Sequence, residues 1–208
     1  MYYVYVSDNK VNQLYPKVPK TFREKIAAEL GFSVPPIIVN LRGKNDSLAT
    51  DETNRYRRLE IVTKDIRKNS STSLGTIDEP NEYFEGTLPM IYLERKKTNI
   101  VLFVGKTHET SLALFGSAHQ MTGTLRAPDT SSIEKRTGLF DDLDAAFEVA
   151  ISNDKIEFNP GIEYIMPLMH GPKLKLEFLA QKFRHEKRSA DKQTILIGSP
   201  IYVSLARE

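Results

Sequence analysis

The middle of this chain constrains its fold more than any other part. Residues 83–95, 100–106 and 111–115 are rich in β-branched, aromatic and leucine side chains, and only the short links 96–99 and 107–110 separate them. Links of hairpin length leave no room for a crossover helix, so consecutive segments must pair antiparallel, as a β-meander. An uninterrupted apolar run such as residues 100–104 spans five positions. That suits a strand buried on both faces, and it is far below the roughly 20 residues that a membrane helix needs.

Strand patterns also mark both ends. Residues 1–7 are dense in tyrosine and valine and stop at Asp8-Asn9, which read as a turn. A strand with large apolar groups on both faces is expected to be central, so the chain is expected to start inside the fold with no leader arm. Near the other end, Ile195, Ile197, Ile201, Val203 and Leu205 mark a strand over residues 193–205. Leu174, Leu176, Phe178 and Ala180 alternate at period two. Residues 173–186 therefore read as the other arm of a C-terminal hairpin, with a helix as the competing reading.

Helical spacing appears three times. In residues 21–30, Phe22, Ile26 and Leu30 form one apolar stripe, Thr21 and Glu24 have the spacing of a capping box, and Gly31 can close the end. Residues 51–68 carry Tyr56, Leu59, Val62 and Ile66 inward, with Arg55, Arg57, Arg58, Lys64, Arg67 and Lys68 outside. Residues 140–152 place Phe140, Leu143, Phe147 and Ile151 on one face. Short strands are expected at 37–39 and 156–158, and a loop over 69–82. The expected fold is a single α+β domain over residues 1–208, or two lobes split near the 69–82 loop. Its sheet is expected to be mostly antiparallel, a central meander plus a C-terminal hairpin, with about three helices packed against it.

Composition removes several functions. The absence of cysteine excludes disulfide scaffolds, thiol nucleophiles and thiolate metal sites. No secretory leader is visible, which points to a soluble cytoplasmic protein. The net charge of +2 argues against a dedicated nucleic-acid binder. That total conceals an uneven spread: residues 1–70 carry +5, residues 71–170 carry −7 and residues 171–208 carry +4. The segments can neutralise one another or present faces of opposite sign.

Two constellations are candidates for chemistry. Gly116, Ser117, His119 and Gly123 follow a strand in a run of small residues, where backbone amides can cradle an anion and an imidazole can bind or transfer a proton. The run lacks the lysine of a phosphate loop and the serine elbow of a hydrolase. Arg57 and Arg58, beside Arg55, could grip phosphate or carboxylate bidentately, although a solvated helix face is the commoner meaning of such a run. Asp141, Asp142 and Asp144 need no metal, because carboxylates in a helix's first turn meet the positive end of its dipole. His108, His119, His170 and His185 show no metal-binding spacing, and no cofactor is expected.

Four pieces of the chain, residues 2–8, 25–30, 116–119 and 198–203, resemble a bacterial family of about this length whose members have no assigned function. The resemblance spans nearly the whole chain. It implies a bacterial cytosolic protein and supplies no activity or catalytic residues. The leading functional expectation is a ligand-binding or regulatory module for a small anionic ligand such as a nucleotide. Two other classes compete: a small hydrolase or transferase using His119 as acid or base, and a protein-interaction module working through oppositely charged surfaces.

Overall fold

The structure, a computed structural model, describes residues 1–35, 48–68, 74–95, 99–122, 173–187 and 194–207. The chain divides into two compact units. One comprises Met1–Val6 with Gly75–Glu208, and the other is Ser7–Leu74, inserted directly after the first strand.

The first unit is built from strands. They are β1 (Tyr3–Val6), β2 (Leu74–Gly75) at the boundary, β3 (Tyr83–Arg95), β4 (Ile100–Lys106), β5 (Thr110–Ser117), β6 (Leu174–Lys187) and β7 (Thr194–Leu205). The expected meander is present as β3–β4–β5, antiparallel throughout. The expected hairpin is β6–β7, so residues 174–187 are strand and not helix.

The sheet differs in detail from the expected mostly antiparallel meander plus hairpin, in two respects. First, β5 and β7 pair in parallel, from Thr110 opposite Thr194 to Leu114 opposite Gly198. Parallel neighbours need a long crossover, and residues 118–193 supply the chain length for one. Second, β6 pairs with both β7 and β3, which closes β3, β4, β5, β7 and β6 into a five-stranded barrel. Closure satisfies strand edges that an open sheet would leave bare.

So narrow a barrel fills with side chains. Its inner face carries Phe84, Leu88, Met90, Tyr92, Val101, Phe103, Leu112, Leu114, Leu176, Phe178 and Leu196, all buried in one core. Phe103 lies edge-on to Tyr5 and beside Tyr92, while Phe84 meets Phe178 edge-on at 5.8 Å. Rings of this size leave little space beside them. Gly198 therefore faces Phe84, where a Cβ would come within 2.8 Å of the ring. The outward residues Leu102, Val104, Ala113, Phe115, Ile195 and Ile197 are buried as well. The meander and β7 are thus apolar on both sides, as the unbroken run at 100–104 implies.

The second unit holds α1 (Asp8–Leu14), a 3₁₀ turn (Tyr15–Lys17), α2 (Lys20–Glu29) and α3 (Leu48–Lys68). Helix α1 is a correction, since Asp8-Asn9 was expected to turn; instead Asp8 opens a helix from its favourable N-terminal position. Helix α2 begins at Lys20 after Pro19 and has no side-chain cap, so Thr21 and Glu24 do not form the expected capping box. The carbonyl of Pro19 takes the amides of Phe22 and Arg23 instead. Gly31 does close the helix, with φ of 70°. The amides of Gly31 and Phe32 donate to Ala28 and Ala27, satisfying the last carbonyls.

Helix α3 carries most of the helix–helix contacts. Arg55 reaches Asp8 and Arg58 reaches Asn12, so α1 runs parallel to that part of α3. Phe32 lies under Arg57, Glu29 meets Lys64 and Phe22 lies under Lys68, so α2 runs antiparallel. At 3.6 residues per turn the two contact stripes on α3 are separated by roughly 130°. The expected strands at 37–39 and 156–158, the helix at 140–152 and the first part of the 69–82 loop lie outside the described residues.

One barrel residue gives the fold a titration signature. Burial at the start of β3, with the charge of Glu82 and a hydrogen bond to it, pushes the Tyr83 phenol up to about 12. An unfolded tyrosine ionises near 10. Between these values the unfolded chain loses a proton that the folded chain keeps, so Tyr83's contribution to stability is intact below pH 10 and is lost as pH rises toward 12. Denaturant melts across that window are expected to fall less steeply for Tyr83→Phe than for the parent protein.

Candidate functional site

The run that follows β5 is held by the first strand. Met121 bridges to Tyr5, the Thr122 amide donates to the Val4 carbonyl at 2.8 Å, and the Thr122 hydroxyl donates to the Tyr3 carbonyl at 2.6 Å. On its other side β1 pairs with β7, from Tyr3 opposite Ser204 to Val6 opposite Tyr202. Because β6 occupies the whole opposite edge of β7, β5 and β1 share one edge of that strand in succession. Strand β1 is therefore a wedge, filling the gap where the chain beyond β5 leaves β7.

The wedge explains the small residues. A Cβ on Gly116 would lie 2.6 Å from the Tyr5 ring, so the space at this glycine is filled by tyrosine. The Ser117 hydroxyl accepts from Asn99 Nδ2 at 2.9 Å, and the Ala118 amide donates to the Asn99 carbonyl. Asn99 adopts φ of 57°, a left-handed conformation that asparagine tolerates better than most residues. His119 sits in a 3₁₀ turn over Ala118–Gln120 and is exposed. Gly123 lies outside the described residues.

The arginines belong to the other unit, and α3 sends them three ways. Arg55 Nε donates to Asp8 Oδ1 at 2.6 Å and forms an ion pair with it. Arg57 stacks on Phe32, its guanidinium carbon 5.2 Å from the ring centre. Arg58 turns into the seam between α3 and α1 and is 4% exposed. Its Nη1 donates to Asn12 Oδ1 at 3.3 Å, while its buried Nε has no acceptor among the described residues. Arg57 and Arg58 are adjacent in sequence and do not share a contact partner. His119 and the two arginines fall in different units, each with its own surroundings.

Arg58 is the residue whose surroundings leave its chemistry incomplete. A guanidinium is always charged, and burying a charge is costly unless it is paired. Among the described residues its single hydrogen bond is to a neutral amide. The edge formed by Nε and Nη2 presents two parallel N–H groups, the geometry that matches a carboxylate or phosphate. Arg23 on α2 also has a buried Nε without an acceptor among the described residues, but its guanidinium rests on the Tyr15 ring at 5.1 Å, which compensates its charge. Sequence pattern alone could flag the arginine run but not Asn12, whose role depends on α1. Among the described residues no three His, Asp or Glu side chains gather to hold a metal, and no helix is long and apolar enough to cross a membrane.

A family model, the family of unknown function DUF7019, matches residues 1–207, and the chain belongs to that family. No curated protein and no solved structure matches it.

The fit of Tyr5 over Gly116 is testable as a pair. Gly116→Ala is expected to destabilise by about 1–3 kcal/mol, the usual range for overpacking a filled core. Because the added methyl meets the Tyr5 ring, combining it with Tyr5→Leu is expected to cost less than the two single losses together. Thermal melts of the four-protein cycle measure this; strict additivity would show that the ring does not fill the space.

Proposed function

We propose that this protein is a binding or regulatory module for a small anionic ligand, and that Arg58 in the α1–α3 seam is its anchor. The supporting observation is the buried Arg58 guanidinium, whose Nε has no acceptor and whose charge has no carboxylate partner among the described residues. A charged ligand group on the Nε–Nη2 edge would supply both. Asn12 fixes the other side of the fork through Nη1, so the free edge is held in one orientation before the ligand arrives. Such preorganisation lowers the entropic cost of binding. Arg55, one turn earlier on the same face, is neutralised by Asp8 and adds no free charge at the seam. That favours a ligand group of low charge, a carboxylate or a phosphate ester, over a polyphosphate. His119 is not needed for this reading.

The reading predicts a reversal between the free and the ligand-bound protein. A buried donor without a partner costs about 1–3 kcal/mol, so Arg58→Met is expected to melt at the same temperature as the parent protein or above it. Ligand at 100 times its dissociation constant should stabilise the parent by about 2.7 kcal/mol and leave Arg58→Met unmoved. A thermal-shift screen of carboxylates, sugar phosphates and mononucleotides against both proteins decides the matter. The reading fails if no anion shifts the parent, or if one shifts both proteins equally.

A further inference from the structure

The other stripe of α3 presents a different kind of surface. Four cations in the described part of the Ser7–Leu74 unit lie over aromatic rings: Arg23 on Tyr15, Arg55 on Tyr56, Arg57 on Phe32 and Lys68 on Phe22. Such contacts ordinarily occur about once in 70–80 residues. Two of them, Arg57 and Lys68, share the stripe that faces α2. Among the described residues neither donates a hydrogen bond to an acceptor. Each is held by a ring face, which steadies the side chain and leaves its N–H groups available. Between them Lys64 is already paired with Glu29 at 3.4 Å. Asp65, whose carboxyl is pushed up by burial, tempers the charge at the Lys68 end.

We infer that this α2–α3 flank is a docking surface for an extended acidic peptide segment of a partner protein, a function separate from the Arg58 seam. Arg57 and Lys68 are eleven positions apart, about 16 Å along the helix axis. An extended chain covers that distance in about five residues and turns alternate side chains to one face, so two acidic side chains four or six apart would meet both cations. Beside the Arg57 end, Leu30 and Val34 are exposed at 42% and 38%. They frame the stretch that carries Phe32 and offer an apolar residue of the peptide a place to rest. Single-stranded nucleic acid fits less well, because its bases need open aromatic faces on which to stack, and here both rings already carry cations.

The probe is a fluorescein-labelled nine-residue peptide with two glutamates six positions apart and a leucine two positions before the first, all on one face of the extended chain, followed by anisotropy on the full chain. Binding is expected to weaken as salt is raised, and at least about tenfold in Arg57→Ala/Lys68→Ala. Circular dichroism is expected to stay near parental and the melting temperature to fall by no more than the loss of two cation–π contacts, since Lys68 is exposed and Arg57 half-buried. Arg58→Met is expected to bind the peptide normally, which separates this surface from the anion seam. The inference is overturned if the peptide does not bind, if the double variant binds it equally well, or if a single-stranded oligonucleotide of equal length binds more tightly than the peptide.

Discussion

The width of a five-stranded barrel is the constraint on which much of this molecule depends. Its narrow interior is in conflict with the bulk that its strands bring inward, Phe84, Phe103, Phe178 and Tyr92, with Tyr92 directly opposite Phe103. The conflict is resolved by placing glycine against bulk: Gly198 against Phe84, Gly116 against Tyr5, Gly105 against Met90 and Gly86 against Ile77. Complementarity of this kind fixes register, because a slip of one residue would turn every ring outward and bring the next residue into a space sized for hydrogen. The glycines are therefore part of the packing pattern, on the same footing as the rings.

That constraint changes the meaning of the run after β5. Small residues and a histidine in a turn have the composition of an anion cradle, but most of the groups described there serve the wedge strand. Tyr5 fills the space at Gly116, Asn99 engages Ser117, and Thr122 ties the turn to β1. The helical unit has the opposite character. Its seams are bridged by long charged side chains, and these leave donors uncommitted. At Arg58 the shortfall is buried; at half-buried Arg57 and exposed Lys68 it is within reach of solvent.

Much of the strand architecture was legible in the sequence, because alternation and short links are local signals. The boundaries of β3 and β4 follow directly from them, and period two at Leu174, Leu176 and Phe178 decided between strand and helix. Closure was not legible, since pairing β5 with β7 joins residues about 84 positions apart, with no local mark of the partnership. Helix α1 was hidden for a different reason. Seven residues give barely two turns, and their periodicity is little more than Val11 and the following Tyr15. With α1 unseen, Asn12 could not be placed beside Arg58, so the arginines could be recognised as a group but not divided by destination.

The position of β7 in the chain has a consequence for how the protein is made. This strand pairs with β1, β5 and β6, and it follows all of them in sequence. During synthesis, β3, β4 and β5 can form their hairpins early, but the seam stays open until the last of the described strands has left the ribosome. Until then the edges of β1 and β5 have no partner, and the apolar meander is unsealed. Folding of the barrel is thus a late, long-range event, slow by the measure of contact order and exposed to aggregation in the interval. The inserted helices of residues 7–74 emerge well before it, and their contacts with one another are local enough to form while the barrel waits.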